Sequence, residues 1–157
     1  MIILKAMREK PLKLIPIGVV HSPYTDPADI HPLRSRFIKG TIEIFPQYET
    51  GLKDIEGFSH IYVLWHFHLS ERVDLLTSPL MELKPKRGTF ATRTPHRPNH
   101  IGLTVVRLLK REKNILYVKG VDMIEGTPVL DLKPYTRRDR RSHLSIGWLE
   151  EVERRER

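Results

Sequence analysis

Three stretches of this 157-residue chain hold side chains whose types and spacing could do chemistry. In the first, Ser59 to His68, alternation along a strand would put Ile61, Val63, Trp65 and Phe67 on one face and His60, Tyr62, Leu64, His66 and His68 on the other. Imidazole is a common zinc ligand, but residues i and i+6 of a strand lie about 20 Å apart. His60, His66 and His68 therefore converge poorly on one ion, and satisfied structural histidines are the better expectation. The second stretch, Arg93 to His100, offers Arg93 and Arg97 for bidentate pairing with a carboxylate. Asn99 there offers a donor and an acceptor for a base edge or for a turn. In the third, Asp131, Lys133 and Tyr135 alternate to one side of a strand, with Leu130 and Leu132 on the other. A carboxylate so placed can take a proton while lysine and tyrosine orient it or stabilise developing charge. A structural ion pair between Asp131 and Lys133 is the competing reading.

The elements that must position these groups read mostly as short strands. Leu14 to Val20, Thr41 to Phe45, Ser59 to Phe67, Gly88 to Thr92, Ile101 to Leu109 and Ile115 to Val121 are apolar runs bounded by turn residues, the last two joined by Lys110 to Asn114. Six or seven short strands in one domain favour a closed barrel, which removes exposed edges. Helix is expected only as a turn or two over Glu49 to Ile55 and near the C-terminus, where Leu144, Trp148, Leu149 and Val152 recur at helical spacing. The expected organisation is a mostly β, single-domain β-barrel over residues 13–143, an N-terminal extension over 1–12 and a short C-terminal helix or tail over 144–157.

Composition excludes several classes of function. Without cysteine there is no disulfide, thiolate metal site or thiol nucleophile, and the cytoplasm is the expected compartment. No apolar run approaches the roughly 20 residues of a membrane helix, and the apolar start is too short for a secretory signal, so no membrane partner is expected. The formal net charge of +8 is concentrated in two places. Residues 84–100 carry a net +5 with no acid, residues 133–143 carry +4, and the remainder sums to −1. Such focusing suits a polyanion, because clustered lysine and arginine release counterions from phosphates. Arg97, Asn99, Arg137, Arg138, Arg140 and Arg141 are the candidate contacts to such a partner, with an ordinary solvated surface as the competing reading.

Four segments carry more than a barrel requires. They are Pro16-Ile17-Gly18-Val19-Val20-His21-Ser22-Pro23-Tyr24; Gly57-Phe58-Ser59-His60; the run from Thr89 to Leu103 containing Phe90-Ala91-Thr92-Arg93 and Arg97-Pro98-Asn99; and Asp122 followed by Glu125-Gly126-Thr127-Pro128-Val129-Leu130-Asp131-Leu132-Lys133-Pro134-Tyr135. In this order and spacing, over about residues 14–136, the chain resembles the TrmO (TsaA-like) family. The resemblance implies an S-adenosylmethionine-dependent tRNA methyltransferase, acting on N6 of threonylcarbamoyladenosine beside the anticodon, with a β-barrel fold and a homodimeric assembly. It also implies cofactor contacts at Pro32, Leu33 and Arg34 in the first long loop, at His68 and Leu69, at Arg93 and Leu103, and at Lys119, Gly120, Val121 and Asp122. Asp131 is the first candidate for the base, with Lys133 and Tyr135 beside it. No G-x-G-x-x-G is present, so such a cofactor would be held by barrel side chains and backbone rather than by a glycine-rich cradle. Longer bacterial members carry a further C-terminal domain, so RNA selection is expected to lean on Arg137 to Arg141. A non-catalytic RNA- or nucleotide-binding module using Tyr24, Tyr48 or Tyr135, and a metal-dependent hydrolase using His60, His66 and His68, are the rival readings. S-adenosylmethionine affinity separates the first rival, and metal analysis the second.

Overall fold

A computed structural model describes residues 10–79 and 85–155. Its centre is a closed barrel of six strands in the order β1-β2-β7-β6-β3-β8, every neighbouring pair given by the register being antiparallel. The strands are β1 (Gly18–His21), β2 (Lys39–Ile44), β3 (His60–His66), β6 (Ile101–Glu112), β7 (Ile115–Lys119) and β8 (Pro128–Pro134). A two-stranded ribbon, β4 (Leu76–Thr77) with β5 (Arg87–Gly88), lies outside the barrel. Among the described residues α-helix is confined to one turn, α1 (Pro32–Ser35), and a C-terminal α2 (Leu149–Arg155). Among the described residues no helix is long and apolar enough to cross a membrane.

Alternation explains the core. On β3, Ile61 and Val63 are fully buried and Trp65 nearly so, while His60, Tyr62, Leu64 and His66 face outward and stay partly exposed. They meet Val20, Ile42, Ile44, Val106, Leu116, Val118, Val121, Met123 and Val129 inside the barrel. Each fully buried aliphatic side chain contributes about 1.5–3 kcal/mol. Trp65 fits because its register partner is Gly102: a Cβ there would stand 2.3 Å from the indole. With no side chain at 102, the indole Nε1 reaches the hydroxyl of Thr104 and donates to it at 3.0 Å.

Several boundaries differ from the sequence reading. Gly88 to Thr92 is not a strand: pairing stops at Gly88, and a 3-10 turn over Thr89–Ala91 follows. There the Thr89 hydroxyl donates to the carbonyl of Asp74, and the Thr92 hydroxyl donates back to that of Thr89 at 3.0 Å. Such local hydroxyl-to-backbone bonds compete with a ladder, and here they win over β-propensity. The Lys110 to Asn114 turn contracts to Lys113–Asn114, and Glu49 to Ile55 belongs to two 3-10 segments, Pro46–Leu52 and Ile55–Gly57. On β8 the register jumps from Val129 opposite Trp65 to Asp131 opposite Leu64, which leaves Leu130 as a bulge. The bulge makes Val129 and Leu132, not Leu130 and Leu132, the residues that meet the core. Residues 1–9 of the expected N-terminal extension, and 156–157 of the tail, lie outside the described residues.

Candidate functional site

β6 and β7, with the loops that follow α1, β5 and β7, enclose a cleft of about 450 Å³ on the barrel wall. Its lining includes Arg36, His60, Arg93, Arg107, Lys119, Gly120 and Asp122, with Ser35, Thr104 and Val105. The register explains the meeting: Arg107 pairs with His60 on one side and with Lys119 on the other. Gly120 then leaves β7 at φ 101, where an ordinary side chain would be strained, and its N–H bonds the carbonyl of Ile38 at 2.8 Å. That exit brings Asp122 back over β6.

Among the described lining residues Asp122 is the sole carboxylate, and it is held from behind. Thr104 donates its hydroxyl to Asp122 Oδ1 at 2.6 Å, and the indole of Trp65 donates to that same hydroxyl oxygen. Burial pushes the Asp122 carboxyl above the ordinary carboxylate range, against the opposing pull of the Thr104 hydrogen bond and the nearby Arg93 guanidinium. One carboxylate that is costly to ionise thus faces several cations, an arrangement suited to a ligand with both an anionic and a cationic group. Phe37 sits among them, 59% exposed, with the Arg36 guanidinium 4.6 Å and the Lys119 ammonium 5.6 Å from its ring centre. Sequence reasoning missed Phe37, and the signal available was its place between Arg36 and Lys39 just after the first long loop.

The structure brings together only part of the expected cofactor set. Arg93, Lys119, Gly120 and Asp122 line the cleft. Val121 is fully buried in the core, and Leu103, half exposed, lies on the outer wall opposite Leu64. Pro32, Leu33 and Arg34 lie in α1, whose end delivers Ser35 and Arg36 to the cleft. His68 and Leu69 are not among the lining residues. His68 is also not a strand residue: β3 stops at His66 and the chain turns, the His68 N–H bonding the carbonyl of His66 at 2.9 Å. Burial, then His100 and His68, lowers the pKa of His66. His60 stands at the other end of the strand, and among the described residues no group of three or more His, Cys, Asp or Glu side chains could hold a metal ion.

Asp131, Lys133 and Tyr135 do share the outer wall. Lys133 Nζ is 2.9 Å from Asp131 Oδ2, while Asp131 Oδ1 accepts the Leu132 N–H at 2.9 Å. The ring of Tyr135 contacts Tyr62 at 5.3 Å and His60 at 6.3 Å between centres. Arg93 and Arg97 separate clearly: Arg97 donates to the carbonyls of Thr92 and Thr94 at 3.2 and 3.4 Å, fastening its own loop, whereas Arg93 faces the cleft. Asn99 is exposed in the turn before β6. Arg137, Arg138, Arg140 and Arg141 are all exposed, on a 3-10 turn closed by a capping box between Thr136 and Asp139. A second depression, of about 440 Å³ near Arg111, has its guanidinium committed to Glu56 and to the carbonyls of Leu52 and Lys113.

The sequence profile of the tRNA-methyltransferase O N-terminal domain matches residues 19–139, which span all but the first residue of the barrel, together with its cleft. The chain belongs to that family. A "Probable S-adenosyl-L-methionine-binding protein" of Pyrococcus abyssi is 50% identical over 139 residues, covering 86% of this chain and 74% of that protein. A tRNA (adenine(37)-N6)-methyltransferase of Mus musculus is 47% identical over 94 residues, 59% of this chain but 22% of its own length. The crystal structure of TrmO from Pseudomonas aeruginosa superposes with a TM-score of 0.71 at 33% identity, over 88% of this chain and 63% of that one. The chain thus covers less than two thirds of the matched Pseudomonas chain.

Proposed function

We propose that this chain transfers a methyl group from S-adenosylmethionine to N6 of threonylcarbamoyladenosine beside a tRNA anticodon, as a cytoplasmic homodimer with the barrel of residues 13–143 as its working unit. The observation that carries the reading is the presence of Asp122 and Arg93 in one cleft, within a family whose relatives are named for S-adenosylmethionine binding and tRNA methylation. The donor has a carboxylate tail and a positive sulfur, and the residues present fit both. Arg93, with Arg36 and Lys119 behind it, would hold the carboxylate, and Asp122 would offset the cation. When bound, S-adenosylmethionine supplies an electrophilic methyl group activated by its sulfonium.

The acceptor nitrogen is amide-like and must lose its proton as the new bond forms. Asp131 is the base in this reading. Its two oxygens are already engaged by Lys133 and by the Leu132 N–H, which fix its orientation, and each keeps a second lone pair to accept from the substrate. Lys133 offsets the charge that gathers there, and Tyr135 borders the substrate. The exposed basic turn from Arg137 to Arg141 engages the RNA backbone, with Asn99 at the edge of the same loop system as Arg93.

Homodimer formation is supported by exposed apolar residues around the β4–β5 ribbon, where Leu69, Leu75, Leu76 and Phe90 are each more than 60% exposed. In the dimer, His68 and Leu69 complete the cleft of the neighbouring copy. The test is methyl transfer from isotopically labelled donor to tRNA carrying threonylcarbamoyladenosine, read by nucleoside mass spectrometry. Label at N6 of that nucleoside is expected, and label elsewhere or nowhere refutes the assignment.

A further inference from the structure

Three rings stand on the outer wall of the barrel between the cleft and the basic turn. His60 lines the cleft. Tyr135, whose N–H bonds the carbonyl of His60 at 3.1 Å, sets its ring against both His60 and Tyr62. Asp139, which closes the basic turn by accepting from the N–H and hydroxyl of Thr136 at 2.6 and 2.8 Å, lies close enough to Tyr62 for the two to interact electrostatically. The turn therefore stands beside the ring wall, and cations, rings and cleft adjoin one another. Tyr62 remains partly exposed, with Lys133 beside it on β8 and Val105, 42% exposed, on β6. A core tyrosine would be covered, and a solubilising wall would not carry three adjoining rings.

We propose that His60, Tyr62 and Tyr135 form a stacking platform for an unpaired nucleobase of the RNA, next to the base whose nitrogen is methylated. This rests on the tRNA reading above. Base–aromatic stacking is strong and tolerant of sequence, and single-stranded RNA sites combine it with a cationic backbone track. Lys133 and the Arg137–Arg141 turn supply that track here. By fixing a flanking base, Tyr62 and its neighbours would select a loop over a duplex, in which the bases remain stacked on one another.

The probe is a fluorescently labelled tRNA anticodon stem-loop, with a blunt RNA duplex of equal length as the contrast, titrated into full-length protein at several salt concentrations. Tyr62→Leu should weaken stem-loop binding by about tenfold or more, with duplex binding and the salt slope unchanged. Tyr62→Phe and Tyr62→Trp keep a ring, lose the hydroxyl, and should bind the stem-loop about as tightly as wild type. Wild-type affinity in Tyr62→Leu overturns the platform, as does equal weakening of the duplex. Weak binding by Tyr62→Phe and Tyr62→Trp also overturns it, because the hydroxyl and not the ring would then be what matters, and these two variants decide the question if Tyr62→Leu does not fold. A change of oligomeric mass in Tyr62→Leu without loss of RNA affinity would make the wall a contact between copies instead. If wild-type protein binds no stem-loop, the tRNA reading falls with the platform; binding that ignores Tyr62 sinks the platform alone.

Discussion

Asp122 and Asp131 are both carboxylates with a partner, yet their surroundings assign them different work. Asp122 is drawn into the cleft, fixed by a hydroxyl that is itself fixed by an indole, and burial raises its pKa. Asp131 stands on the open wall, its side chain 45% exposed, in an ion pair with Lys133 and a bond to its neighbour's N–H. A carboxylate enclosed by protein binds a cationic ligand strongly because desolvation has already been met on folding. A solvated carboxylate exchanges protons readily and is reachable by a large RNA substrate. In the proposed reading, the difference suits the first region to donor binding and the second to proton removal.

The comparison breaks most visibly at Asp131. Asp131→Asn keeps the shape but loses proton acceptance, so single-turnover methylation should fall by about 10² to 10⁴-fold while donor and tRNA affinities hold. A near-normal rate at saturating substrate would return Asp131 to a structural ion pair with Lys133 and leave positioning as the source of catalysis. Next in size is Arg93→Ala, which should weaken S-adenosylmethionine binding by on the order of 2 kcal/mol, the scale of a lost charge-assisted hydrogen bond. Arg97→Ala should leave donor affinity alone, because that guanidinium is occupied by the Thr92 and Thr94 carbonyls. Equal losses in the two variants would erase the distinction between them.

A smaller effect per residue is expected on the basic turn. Replacing Arg137, Arg138, Arg140 and Arg141 with glutamine should weaken tRNA binding and flatten its salt dependence by up to about four phosphate contacts, with donor affinity unchanged. An unaltered salt slope would make the turn ordinary solvated surface.

The smallest effect concerns a third region, where carboxylates serve stability. His21 places Nε2 at 2.9 Å from Glu43 and Nδ1 at 2.8 Å from Glu125, whose other oxygen takes the Ser22 N–H at 2.7 Å. These bonds, that to Glu43 foremost, raise the pKa of His21 above its ordinary 6.5, while the bond from His21 depresses that of Glu125. The clamp therefore stabilises fully below the unfolded histidine value and is lost as pH rises through the raised one. From the acid side it is lost as pH falls through the depressed Glu125 value. Because the groups are more than a third exposed, His21→Gln should lower Tm by only about a degree or two near pH 6, with the difference vanishing near pH 9. A constant difference across that range would show that packing, not charge, is what His21 supplies.

These regions were not equally legible in the amino-acid sequence. The barrel followed from alternation, as Ile61, Val63 and Trp65 show, and Asp131 beside Lys133 followed from a two-residue period on one strand. The Trp65–Thr104–Asp122 chain joins residues 39 and 18 positions apart, and the His21 clamp spans 104, so no local pattern announces either. The Leu130 bulge was hidden for a related reason: alternation assumes one residue per register step, and only the partner strand reveals the extra one. Around Arg93 the residue types were legible, but the choice of Arg93 over Arg97 depended on which loop carbonyls lay within reach.

Calorimetric titration of S-adenosylmethionine into wild-type protein and into Asp122→Asn, with melting curves on both, tests the assignment of the cleft most directly. Asparagine preserves the hydrogen bond from Thr104 and removes only the buried charge. Ionisation of Asp122 costs stability above the carboxylate's ordinary range, so the ligand-free variant should melt at or above the wild-type temperature at neutral pH. Its donor affinity should nevertheless fall by at least about tenfold, as expected for loss of a charged partner. Wild-type affinity in a folded Asp122→Asn protein would contradict the assignment and place the donor elsewhere on the barrel.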